Sequence, residues 1–134
     1  MTETSATDDG EDYGTVTWWE IPATNLPDSV RFYREAFDWE FEAMDADYEI
    51  VLHRGRMVGG IYAHDTDTGQ LGDGTRLTIN VADLEASLSR VTAAGGRVVH
   101  GRAAIGEGFG WWALFTDPSG LTIGLASPHP PVED

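Results

Sequence analysis

The chain has 134 residues, with 23 acids against 8 bases, a formal charge of −15, 41% hydrophobic residues and no cysteine. That length fits one domain with a core of its own, and the missing cysteines exclude disulfides, thiolate metal sites and cysteine nucleophiles. Every base is arginine, so Schiff-base and P-loop lysines are excluded too, and nucleic acid or an anionic membrane surface would be repelled.

Residues 1–13 hold five of the acids (Glu3, Asp8, Asp9, Glu11, Asp12) and no base, among Thr, Ser and Gly, and read as a flexible acidic tail. The start lacks the basic-then-apolar pattern of a signal peptide, and no apolar run reaches the length of a membrane span; the expected location is cytoplasmic. Alternation from Thr17 predicts a strand with Trp19 and Ile21 on one face and Trp18 and Glu20 on the other. Asn25 can cap a helix with Pro27 in its first turn, and Val30, Tyr33 and Phe37 form its apolar stripe. Strand patterns follow at Trp39–Ala43, at Tyr48–Leu52 and in the Gly-broken stretch Met57–Ala63. A loop rich in Asp, Thr and Gly, Asp65–Gly74, comes next.

The second half reads the same way. Leu77, Ile79 and Val81 alternate with Arg76, Thr78 and Asn80. Asp83 caps a helix striped by Leu84, Leu88 and Val91, and Gly95-Gly96 end it. Strands are predicted at Arg97–His100, Trp111–Thr116 and Leu121–Ala126, with Asp117-Pro-Ser-Gly120 as the turn between the last two. Residues 128–134 form an irregular C-terminal tail.

These halves are copies. Thr17–Leu26 slid by 58 positions lands on Thr75–Leu84, setting Ile21 on Ile79, Leu26 on Leu84, Ser29 on Ser87 and Ala36 on Ala94. A period of that length means two copies of one small module rather than a solenoid. The repeat therefore reads as an α+β chain of two tandem βαβββ modules, 14–64 and 75–127, in a single domain, 14–127.

Two such modules, the Trp18-Trp19-Glu20-Ile21-Pro22 opening, Phe32-Tyr33 before Phe37-Asp38-Trp39, the Ala94-Gly-Gly helix end and Thr116-Asp-Pro-Ser-Gly120 together resemble the vicinal oxygen chelate superfamily. That group includes glyoxalase I, extradiol dioxygenases and bleomycin- and fosfomycin-resistance proteins. The resemblance implies that the two modules form a curled mixed sheet around a shared cleft, where enzymatic members hold a divalent metal. Its ligands there are a His, Gln or Glu on the first strand of each module and a Glu near the end of each last strand. Carried over, the first-strand positions are Trp18 and Arg76, and the last-strand positions are Gly60 and Gly124. An indole only donates hydrogen bonds, a guanidinium is a permanent cation, and glycine has no side chain. The expectation is no metal ligand set and no cofactor.

Other candidates are weaker. Glu20 shares the face of Trp18 and could be a cleft carboxylate or base, but an ion pair with Arg76 across the pseudo-twofold is the stronger reading. His53, His64, His100 and His129 show no ligand spacing; His64 shares the parity of Gly60 and Tyr62 and could reach the cleft rim. Of Trp111 and Trp112 one should face the cleft. Gly106, Gly108 and Gly110 neither follow a strand nor open a helix, so they are no dinucleotide fingerprint and form either a loop over the cleft or a hairpin. No catalytic residue is assigned. The ligand-binding set expected is Trp18, Glu20, Tyr62, Arg76, Thr78, Asn80 and Trp112, suited to a small organic molecule, aromatic or acidic.

The function expected is small-molecule binding in the cleft; the alternative is an enzyme of the same superfamily, of lyase, isomerase or dioxygenase type, either metal-dependent through unrecognised ligands or metal-free using Glu20 and a polar neighbour. A third reading is a structural module whose cleft its own side chains fill. Related folds pair into symmetric homodimers, and an outer sheet edge here could do so. The acidic, lysine-free composition suits concentrated salt, although a high-GC genome gives the same Arg-for-Lys bias.

Overall fold

A computed structural model describes residues 11–64, 74–106 and 108–131. Among these, ten elements run β1 (Thr15–Ala23), α1 (Leu26–Phe37), β2 (Glu40–Asp45), β3 (Tyr48–His53), β4 (Arg56–Ala63), β5 (Arg76–Asn80), α2 (Leu84–Ala93), β6 (Arg97–Gly106), β7 (Gly110–Thr116) and β8 (Thr122–Ser127). The two βαβββ modules are present and build one eight-stranded mixed sheet in the order β2-β3-β4-β1-β5-β8-β7-β6. No described helix is long and apolar enough to cross a membrane.

Local chemistry starts and stops the helices where the sequence predicts. Asn25 Oδ1 accepts the Asp28 N–H and Asp83 Oδ1 the Ala86 N–H, both at 3.0 Å, so each cap satisfies one of the amides a helix start leaves open. Beyond α2, Gly95 takes a left-handed φ of +109°, which glycine adopts without Cβ strain.

The module junction sets the site. β1 and β5 run antiparallel, with Trp18 opposite Thr78 and Glu20 opposite Arg76. Each central strand also runs parallel to its own module's last strand, Glu20 beside Gly60 and Thr78 beside Gly124. Positions 58 apart thus exchange places across a pseudo-twofold axis between the central strands. Pro22 lies past the last β1–β5 pair, where its missing N–H breaks no ladder bond to β5.

Both helices cover the same kind of face. Leu26 and Val30 of α1 pack with Ala23, Val51 and Ile61, joined by Trp19, Ile21, Tyr33 and Trp39. Leu84 of α2 packs with Ala113 and Leu125, joined by Ile79, Val81, Leu88 and Trp111. Period-two alternation then sends Trp18, Glu20, Tyr62, Arg76 and Thr78 to the opposite face.

Several expectations are corrected. Phe37 does not join the α1 core stripe: it is the helix's last residue, 58% exposed, and its ring meets Phe32, Tyr33 and Trp39 instead. Leu77 shares the helix-covered face but is 42% exposed, because it sits at the junction between the two cores and belongs to neither. β6 continues well past His100, to Gly106, through three register shifts against β7 that let a bent strand keep pairing. Within the segment expected as a tail, Glu11 accepts the Asn80 amide at 2.8 Å and the Tyr13 hydroxyl lies 2.8 Å from His129 Nε2. Positions 1–10, 65–73 and 132–134 of the expected tails and inter-module loop lie outside the described residues.

Candidate functional site

The sheet face away from the helices curls around a cavity of about 580 Å³, within the range of small-molecule sites. Both modules contribute. Trp18, Glu20, Tyr48, Ile50 and Tyr62 come from the first, and Arg76, Thr78, Trp112, Leu114 and Gly124 from the second. Met44, Met57, Ile105 and Phe109 add apolar surface. Phe109 is delivered by the β6–β7 connection, a hairpin whose ends pair at Gly106 and Gly110.

A chain of hydrogen bonds runs across the cavity wall. The Trp18 indole N–H donates to the Tyr48 hydroxyl at 2.9 Å, and Tyr48 donates in turn to Glu20 Oε2 at 2.8 Å. From the other module Arg76 donates to Glu20 Oε1 through Nε at 3.0 Å and Nη2 at 2.6 Å. The ion pair expected between Glu20 and Arg76 is therefore formed, with both side chains less than one-fifth exposed. The guanidinium carbon also stands 5.4 Å from the centre of the Tyr62 ring, a cation–π contact. Burial, reinforced by the Glu20 charge beside it, pushes the Tyr48 phenol far above its ordinary range. Tyr48 is accordingly a fixed neutral donor at any physiological pH.

Six of the seven residues in the expected ligand-binding set line this cavity: Trp18, Glu20, Tyr62, Arg76, Thr78 and Trp112. Asn80 does not. It shares their strand face but sits at the far end of β5, where its amide donates to Glu11 Oε1 and the Asp12 carbonyl. Trp111 turns to the α2 core and carries the Arg102 guanidinium over its ring. His64 directly follows β4 and is not among the residues lining the cavity. His100 stacks on Trp112 with ring centres 4.5 Å apart, and His129 is engaged at the terminus with Tyr13.

Tyr48 is the member that sequence reasoning missed. The available signal was a tyrosine at the start of an alternating strand, near two glycines on the next. What was hidden is that Ile50, two positions on, pairs with Gly60. A Cβ at Gly60 would collide with the Tyr48 phenol.

That collision bears on metal binding. The four positions that the resemblance assigns to metal ligands hold Trp18, Arg76, Gly60 and Gly124. Tyr48 fills the space beside Gly60, and a Cβ at Gly124 would stand 2.7 Å from Thr78 Oγ1. Among the described residues no three His, Cys, Asp or Glu side chains gather to hold an ion. An indole, a phenol and a carboxylate already paired with arginine do not fit a divalent cation.

Comparison with known proteins agrees with this architecture. A protein of Didymella fabae described as "Glyoxylase-like domain-containing protein" is 27% identical over 122 residues, 86% of this chain and 94% of that one. Among solved structures, the methylmalonyl-CoA epimerase of Mycobacterium tuberculosis superposes with a TM-score of 0.62 at 20% identity, over 88% of this chain and 90% of that one. The Mn(II)-bound glyoxalase of Novosphingobium aromaticivorans gives 0.62 at 19% identity, over 87% of this chain and 39% of that longer one. At such identities the structures share a fold and nothing finer. The family profile itself matches residues 15–125, spanning both modules, and the chain belongs to the Glyoxalase/Bleomycin resistance protein/Dioxygenase superfamily.

Proposed function

We propose that this protein binds a small, mainly apolar organic molecule in the cavity between its modules, and that it does so without a divalent metal ion. One observation carries the reading. The Trp18–Tyr48–Glu20–Arg76 chain, which includes two of the positions that the resemblance assigns to metal ligands, runs along the wall of an open, largely apolar cavity of about 580 Å³. A cavity filled by its own side chains would be the mark of a purely structural module, and that volume argues against it.

Acid–base catalysis by the same groups is less well supported. Tyr48 is held neutral, so it is a poor acid or base near neutral pH. Glu20 accepts three hydrogen bonds from Tyr48 and Arg76, which leaves little of the carboxylate for a substrate proton.

The test is a thermal-shift screen of the full chain against neutral aromatics, aromatic acids and antibiotics, with and without chelator. A ligand at 100 times its dissociation constant adds about 2.7 kcal/mol of stability. At least one chemical class should raise the melting temperature equally in both conditions. Silence across the panel, or stoichiometric Zn, Ni, Mn or Fe in protein purified without chelator, would overturn the reading.

A further inference from the structure

The cavity wall has an uneven inventory of hydrogen-bonding groups. The Trp18 N–H and the Tyr48 O–H are both spent within the chain. Glu20 already accepts three bonds of the roughly four its oxygens can take. Arg76 uses one N–H of Nε and one of Nη2, both on Glu20, out of the five a guanidinium carries. Among the described residues its Nη1 group has no partner, and neither does the Thr78 hydroxyl, two positions along the same strand face. Beside Glu20 the unmet capacity is therefore chiefly donor capacity, at Arg76 and Thr78, while the Asp45 carboxylate on the rim keeps acceptor capacity.

Charge then selects among acceptors. Among the described residues the charged ones lining the cavity are Glu20, Asp45 and Arg76, so the positive charge found there is already offset by Glu20 and a second carboxylate stands on the rim. The whole chain adds a formal charge of −15. A carboxylate entering here would shed its water to meet an arginine whose charge is taken. A carbonyl-type oxygen gains the same donors at a much smaller desolvation cost. We propose that the cavity takes an uncharged, mainly apolar molecule whose acceptor oxygen lodges against Arg76 and Thr78, with Glu20 as the built-in counter-ion that keeps carboxylates out. This rests on the binding reading above and narrows its ligand class: of the aromatic and acidic options the sequence allows, it keeps the first and drops the second.

Three probes of one shape test it: acetylnaphthalene, naphthoate and isopropylnaphthalene, titrated against the full chain by calorimetry. The neutral ketone should bind about tenfold tighter than the hydrocarbon, and tighter than the anion. Glu20→Gln should raise naphthoate affinity by about tenfold or more, because the arginine charge is released. Thr78→Val, nearly isosteric, should remove much of the ketone's advantage and leave hydrocarbon binding in place; it decides the matter should Glu20→Gln not fold. Naphthoate binding the wild type as tightly as the ketone overturns the proposal. Equal binding of ketone and hydrocarbon overturns it too, while the broader binding reading stands. Binding by none of the three removes the apolar cavity site on which both depend.

Discussion

The Tyr48 phenol occupies the space into which a side chain at Gly60 would project. Two strands of one module thus share a single volume, and the larger residue takes it. Gly60→Ala should cost about 1–3 kcal/mol, the usual range for overpacking. In a Tyr48→Ala background the same substitution should cost much less. Urea denaturation of the four proteins measures this coupling, and strictly additive costs would show that the two positions do not compete.

Glu20 and Arg76 join the modules across the β1–β5 pair, shielded on the cavity wall. Arg76→Leu or Glu20→Leu alone leaves a charged partner with its hydrogen bonds unmet, at roughly 1.5–3 kcal/mol each. The double leucine variant should cost less than the sum, since no lone charge remains. A double variant as unstable as the sum would mean that the pair does not interact across the junction.

Stability should fall at alkaline pH through Tyr48. An unfolded tyrosine titrates near 10.0, and the folded phenol is raised well above that by burial and the Glu20 charge. The folded state thus binds this proton more tightly. Its contribution is complete below pH 10 and is lost as pH rises further, because the unfolded state then ionises first. Urea midpoints across this range should fall more steeply for the wild type than for Tyr48→Phe, and parallel slopes would contradict the assignment.

The formal charge of −15, without a lysine, predicts self-repulsion that salt relieves. The screening length shrinks from about 8 Å at 0.15 M to about 3 Å at 1 M. The melting temperature should therefore rise with KCl over that interval. A flat or falling profile would show that the acidic surface is not under electrostatic strain.

The two helix starts should behave alike. Asn25→Ala and Asp83→Ala each delete a cap bond of 3.0 Å to an amide of the first turn, and each should cost about 1 kcal/mol. Chemical denaturation compares them directly, and a negligible cost at both would mean that water replaces the caps.

Much of this architecture was legible in the residues. The shift of 58 positions aligned Trp18 with Arg76 and Glu20 with Thr78, and in the fold these positions trade places about the pseudo-twofold. Alternation was enough to put Trp18, Glu20, Arg76 and Thr78 on one face, because side-chain direction along a strand follows from its pleat. Parity put Asn80 on the same face as well, but its amide is taken by Glu11 and Asp12 at the far end of β5. At Phe37, the last residue of α1, helical spacing alone did not bring burial.

Caps, turns, strand faces and the internal duplication depend on residues a few positions apart, or on a pattern repeated along the chain, so the chain carries them openly. The identity of the group beside Gly60 does not have that character. It follows from the register of β3 on β4 and from the curl of the sheet, which bring Tyr48 to Trp18 and Glu20 across 30 and 28 positions of sequence. Register and curvature emerge from the packing of the whole sheet. The polar chain, the cavity beside it and the donors left over at Arg76 and Thr78 are decided only in three dimensions.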